Sequence, residues 1–120
     1  MTKEIKKALS HLRVPPSGTE QELHALILRA LSDANLPVEH EVVLAPRCRI
    51  DFVVGRTGIE VKQGTPAKSA LLKQAKRYLA TDAIDELLLV TRDNANLPAE
   101  IGGKRVEVFG LSRLWGIALP

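Results

Sequence analysis

Residues Arg49 to Lys62 read RIDFVVGRTGIEVK, two short alternating apolar runs on either side of a glycine-bracketed turn. That pattern specifies a β-hairpin and so commits the middle of the chain to a sheet. With Arg56-Thr57 as the two-residue loop, Gly55 faces Gly58, Val53 faces Glu60 and Asp51 faces Lys62. Strand side chains alternate with a period of two, so this register gathers Asp51, Glu60 and Lys62 on one face and Ile50, Phe52, Val54, Ile59 and Val61 on the other. A hydrophobic core accounts for the apolar face, but not for the charged one. Two carboxylates and a lysine at neighbouring or diagonal positions make a site for a hard cation, and magnesium fits best. Oxygens from Asp51 and Glu60, with the Val61 main-chain carbonyl, leave positions for waters and a phosphate oxygen. Lys62 would orient or help deprotonate an attacking water. The alternative is a salt-bridged hairpin whose charges face solvent.

The hairpin is flanked by two amphipathic helices. Upstream, Ser17-Gly18-Thr19 provides a turn and an N-cap, and Leu23, Leu26, Ile27, Ala30 and Leu31 recur at helical spacing up to about Asn35. At about 100° per residue, Glu20 lies roughly 60° from the centre of that stripe and Glu22 roughly 100° away, so Glu20 points nearer the sheet. Thr19 and Glu22 form a capping box, which gives Glu22 a structural role of its own. Downstream, Pro66 suits a first helical turn, and Leu71, Leu72, Ala75 and Leu79 continue the pattern to about Ala80. Gln74 and Tyr78 sit one turn apart beside this stripe, within reach of the charged sheet face. Tyr78 is read either as a contact to substrate backbone or as a core tyrosine with its hydroxyl at the surface. The same helix carries Lys68, Lys73, Lys76 and Arg77, and no acid occurs between Lys62 and Tyr78. A basic strip without interleaved aromatics suits a nucleic-acid backbone rather than stacked bases.

At 120 residues the chain is expected to form one domain. Residues 1 to 18 read as a basic helix and linker that by default covers the core, the alternatives being to clamp DNA or to pair with a second subunit; 19 to 91 read as the catalytic core, and 104 to 120 as a C-terminal strand and tail containing Trp115. Strands are expected over 38 to 44, 47 to 54, 59 to 63, 84 to 91 and 105 to 109. Leu87-Leu88-Leu89-Val90 is continuously apolar, as in a central strand buried on both faces. A net charge of +3 and a pI near 9.2 are compatible with a polyanionic partner. The lone Cys48, the lack of a secretory signal and the lack of an apolar run of about 18 residues point to a reducing cytoplasm and no membrane association. His11, His24 and His40 have no partner at zinc-ligand spacing, and neither a nucleophile elbow nor a phosphate-binding glycine loop occurs. Zinc chemistry, triad hydrolysis and nucleotide hydrolysis are therefore unsupported.

Glu20-x-Glu22-Leu23 on a first helix, Asp51 and Glu60-Val61-Lys62 on a hairpin, and Gln74-x-x-x-Tyr78 on the next helix occur in the order found in the PD-(D/E)xK phosphodiesterases. The chain resembles this superfamily, which includes restriction endonucleases, archaeal Holliday junction resolvases and RecB-type nucleases, over roughly residues 19 to 91. It looks most like the small single-domain members. Arg49-Ile50 replaces the proline that names the motif, a position many members also vary. The resemblance implies an α/β fold with a restriction endonuclease-like αβββαβ core, its mixed central sheet flanked by helices. It also implies a magnesium-dependent deoxyribonuclease, with manganese able to substitute, that cuts DNA with weak sequence selectivity and leaves a 5′-phosphate and a 3′-hydroxyl. In that scheme Asp51, Glu60 and the Val61 carbonyl hold the metal, and Glu20 holds a water or second cation. Lys62 positions the nucleophile, Gln74 supports the site, and Lys68, Lys73, Lys76, Arg77 and Tyr78 contact nucleic acid. A homodimeric Holliday junction resolvase is the alternative within this class, and a catalytically silent nucleic-acid-binding module is the alternative outside it.

Overall fold

The computed structural model describes residues 1–12, 18–64, 67–92 and 95–111. Among these residues three helices, α1 (Thr2–Leu9), α2 (Glu20–Asp33) and α3 (Lys68–Leu79), flank six strands. These are β1 (Val38–Ala45), β2 (Cys48–Val54), β3 (Thr57–Lys62), β4 (Glu86–Thr91), β5 (Glu100–Ile101) and β6 (Lys104–Gly110). The sheet order is β1-β2-β3-β4-β6-β5, with β4 parallel to β3 and β6 and the remaining neighbours antiparallel. The fold is thus a mixed α/β sheet sandwich, and α2-β1-β2-β3-α3-β4 reproduces the expected αβββαβ order. The short β5 was not expected. Trp115 and the rest of the tail lie outside the described residues. Among the described residues, no helix is long and apolar enough to cross a membrane.

Core packing follows from the sequence pattern. Ile5 and Leu9 of α1 and Leu23, Ile27 and Leu31 of α2 close over Phe52, Val54, Ile59, Val61, Leu88 and Val90 on one face of the sheet. Ala75, Tyr78 and Leu79 of α3 close over Ile50, Val53, Ile84, Leu87 and Val106 on the other. Leu87 and Leu88 therefore point to opposite cores, as a central strand requires, and full burial of such a side chain contributes about 1.5–3 kcal/mol. The α1 helix does cover the core, with its Lys6 paired to Glu107 on β6 at 2.9 Å.

The hairpin register differs from the expected one. Gly55 and Arg56 form the loop, and the ladder pairs Val54 with Thr57, Val53 with Gly58 and Phe52 with Ile59. Gly55 adopts φ +61°, the left-handed conformation that the first central position of such a turn requires and that glycine alone adopts cheaply. Thr57 is thereby drawn into the strand, where it is buried and donates its hydroxyl to Glu86 Oε1 at 2.6 Å. Sliding each partner by two residues leaves the strand faces unchanged but brings Asp51 beside Glu60. Gly58 is also required by space. A Cβ there would lie 2.7 Å from Ile50 Cδ1 and 2.8 Å from Ile84 Cδ1.

Ile50 overturns another expectation, because it packs with Val53 in the α3-side core rather than with Phe52 and Val54. Alternation is interrupted between Ile50 and Phe52. Across on β1, His40 opposite Phe52 stacks on its ring at 4.8 Å, while Val42 opposite Ile50 packs on the α3 side. Between them Glu41 takes φ +52°, a left-handed kink inside a strand. The sheet changes its pleat where Asp51 sits.

Candidate active site

Beyond Phe52 and Ile59, side chains replace the backbone in joining β2 to β3. The Asp51 carboxylate accepts a hydrogen bond from the Val61 amide at 2.8 Å, and the Asp51 amide donates to Glu60 Oε1 at 3.3 Å. The two acids therefore meet where the hairpin splits open. One strand residue directs its N–H and C=O to the same side. The Val61 carbonyl thus points into the same gap as its amide, while the Lys62 carbonyl points the other way and accepts from Arg92 N at 3.2 Å.

Glu60 is the centre of this cluster. Its side chain is only 7% exposed, yet it bears a carboxylate held by Lys62 Nζ at 3.1 Å and Gln74 Nε2 at 3.2 Å. Burial pushes its pKa up to about 7, with the negative charge of Asp51 adding to the shift and Lys62 opposing part of it. Two neighbouring carboxylates, of which only Glu60 pairs with the Lys62 ammonium, form an electrostatically frustrated group that an added cation relieves. Gln74 is fixed from behind, since its amide also donates to Tyr78 Oη at 2.8 Å and that hydroxyl donates to the Arg49 carbonyl at 3.1 Å. Burial, followed by the charge of Glu60, drives the Tyr78 pKa well above that of an ordinary phenol. Tyr78 is therefore a neutral strut between α3 and β2. At 3% exposure it sits too deep for the substrate contact assigned to it above.

The α2 helix presents a different residue from the one expected. Glu20 opens the helix with an exposed side chain, and Glu22 completes the cap, its amide donating to Thr19 Oγ1 at 3.1 Å. One turn deeper, His24 Nε2 lies 3.7 Å from Asp51 Oδ2 and is buried, with no hydrogen-bond partner among the described residues. Its ring leans on Phe52 at 5.7 Å. His24 is not legible from zinc-ligand spacing, since no second histidine stands at such a spacing from it. The signal was its place one turn after Glu20 on the same side of the helix. The buried stripe proves to be Leu23, Ile27 and Leu31, with Leu26 and Ala30 only half buried, which turns His24 further toward the sheet.

The structure therefore brings Asp51, Glu60, Val61, Lys62, Gln74 and His24 together and leaves Glu20 exposed at the start of α2. Among the described residues, no three His, Cys, Asp or Glu side chains are close enough to form an ion-binding group by themselves. Two carboxylates and a main-chain carbonyl suit an ion that keeps several of its waters, which is the habit of magnesium. Lys68, Lys73, Lys76 and Arg77 are all exposed on α3. No protein-family model, curated protein or solved structure matches this chain.

Proposed function

We infer that the chain is a magnesium-dependent deoxyribonuclease with a restriction endonuclease-like core. The observation that carries this reading is the buried Glu60 carboxylate set against Asp51 at the split of the hairpin, with Lys62 paired to Glu60. The donor set fits a hard divalent ion. Asp51, Glu60 and the Val61 carbonyl would hold it, and the orphaned His24 Nε2 stands next to the same gap. Such an ion, when bound, acidifies a water and offsets charge that builds on the phosphate.

The remaining work belongs to the chain. Lys62 reaches Glu60 Oε2 at 3.1 Å, so displacement of that contact frees its ammonium to orient the attacking water or a phosphate oxygen. Gln74 and Tyr78 keep Glu60 from rotating. The overall reaction joins the water oxygen to phosphorus and breaks the bond to O3′, which departs as a hydroxyl and leaves a 5′-phosphate. That polarity is carried over from the family resemblance. Manganese is expected to replace magnesium.

Cleavage of labelled linear, single-stranded, flapped and four-way-junction DNA in magnesium, manganese or EDTA tests the proposal. Wild-type protein should cut in either metal, whereas Lys62→Ala and Asp51→Asn should be inert although folded. Retained metal-dependent cleavage by purified, folded Asp51→Asn protein would overturn the assignment.

A further inference from the structure

Beside the carboxylates, on the α3 side of the sheet, lies a groove of about 410 Å³ lined by Lys62, Ala70, Leu71, Lys73, Gln74 and Arg77. Three of these residues are cations and none is an acid. Elsewhere several cations have carboxylate partners, such as Lys6 with Glu107, Arg56 with Asp85 and Arg29 with Asp33. Lys73 and Arg77 have no such partner among the described residues. Arg77 does donate one N–H to the Arg47 carbonyl at 2.6 Å. A neutral acceptor holds the guanidinium in place without cancelling its charge, and leaves its other donors for an oxyanion.

Like charges gathered round a concave surface raise the local potential and attract an anion. Helix geometry separates these two cations from the other two on α3. Measured from Gln74, which faces the carboxylates, Arg77 lies roughly 60° around the axis and Lys73 roughly 100° on the same side. Lys76 lies roughly 160° away and Lys68 roughly 120° in the opposite sense, and neither lines the groove. Gln74 and Lys62 belong both to the groove and to the Glu60 cluster, so an anion seated here adjoins the reacting centre. Ala70 adds only a methyl group to the lining.

We propose that this groove seats a backbone phosphate of the nucleic acid next to the one being cleaved. Lys73 and Arg77 bind it, and Lys68 and Lys76 do not touch it. The identity of the anion rests on the nuclease reading, whereas the groove itself does not. The test compares two double variants, Lys73→Ala with Arg77→Ala and Lys68→Ala with Lys76→Ala. Each removes two positive charges, taking the net charge from +3 to +1, so distant electrostatics are matched. Binding of fluorescent duplex and single-stranded DNA is measured in EDTA over a salt series, with thermal unfolding as the check on folding.

The groove variant should lose affinity and show a salt slope shallower by about 0.9 on duplex or about 0.7 on a single strand, the loss of one phosphate contact. The Lys68/Lys76 variant should keep the wild-type slope. Equal slope changes in the two variants, a larger change in the second, or a wild-type protein with no affinity for DNA would each overturn the proposal. If the groove double variant fails to fold, Lys73→Glu alone serves, and an unchanged affinity there overturns it too. Wild-type cleavage in magnesium is read in parallel. A slope difference without cleavage removes the nuclease reading and keeps the groove, while cleavage without a slope difference does the reverse.

Discussion

Glu86 and Glu60 lie in adjacent strands of one sheet, and their surroundings push them in opposite directions. Burial raises the pKa of Glu86, but hydroxyl hydrogen bonds from Thr2 at 2.5 Å and Thr57 at 2.6 Å, with the nearby N-terminal ammonium, outweigh it and hold the group below its ordinary value. Glu60 is buried more deeply and faces a second carboxylate, so it is raised to about 7 despite Lys62. One glutamate fastens α1 to the start of β3 and β4. The other is poorly satisfied at the place where the hairpin opens. The contrast shows how a single sheet can satisfy one glutamate and leave another, one strand away, poorly satisfied.

The largest effect expected from this contrast is on pH-dependent stability. In metal-free protein the folded-state pKa of Glu60 lies above its unfolded value of about 4.5, so the folded state binds the proton more tightly. Stability should fall as pH rises from about 4.5 to about 7, by on the order of 3 kcal/mol, and level off above that. Glu60→Gln should remove this slope and melt higher than wild type at pH 8 in EDTA, while losing cleavage. Denaturant titrations across pH decide the point, and a variant with the wild-type slope would show that Glu60 is not the destabilised group.

Gly58→Ala tests how tightly the hairpin is packed beside the site. Its Cβ would collide with Ile50 and Ile84, an overpacking that costs about 1–3 kcal/mol and should appear in the urea midpoint. His24→Ala should raise the magnesium concentration for half-maximal cleavage about tenfold, the low end for loss of a partner to a metal-binding group. An unchanged metal requirement would return His24 to a packing role. The smallest effect is expected at the satisfied glutamate. Thr57→Val removes one of its two hydroxyl donors and should lower stability by about 1 kcal/mol at neutral pH, with metal dependence unaltered.

The charged triad, the two helices and the twice-buried β4 were legible because each rests on side-chain periodicity, which survives small errors of register. The loop was misplaced by one residue because Gly55 and Gly58 bracket the turn and both suit it. Only the left-handed φ of Gly55 and the Thr57–Glu86 bond select between the two. Ile50 was assigned to the wrong core because no local residue announces the kink at Glu41, a position where glutamate is an unusual choice. On α2, a stripe widened to include Leu26 and Ala30 shifted the apparent centre away from His24 and hid it behind Glu20. For Tyr78 the residue type allowed both a core and a substrate role, and the hydrogen bond to Arg49, distant in sequence, decided for the core.

The bond from the Val61 amide to the Asp51 carboxylate carries a practical warning for mutagenesis. Asp51 is at once a charged group of the candidate site and the acceptor that stitches β3 to β2 where the ladder ends. Alanine at this position would strand a main-chain amide as well as delete a charge, so its phenotype would confuse a frayed hairpin with a lost reaction. Asparagine keeps an oxygen for that amide while it removes the charge and turns the other oxygen into an NH2 donor. The two substitutions compared side by side separate the stitch from the chemistry.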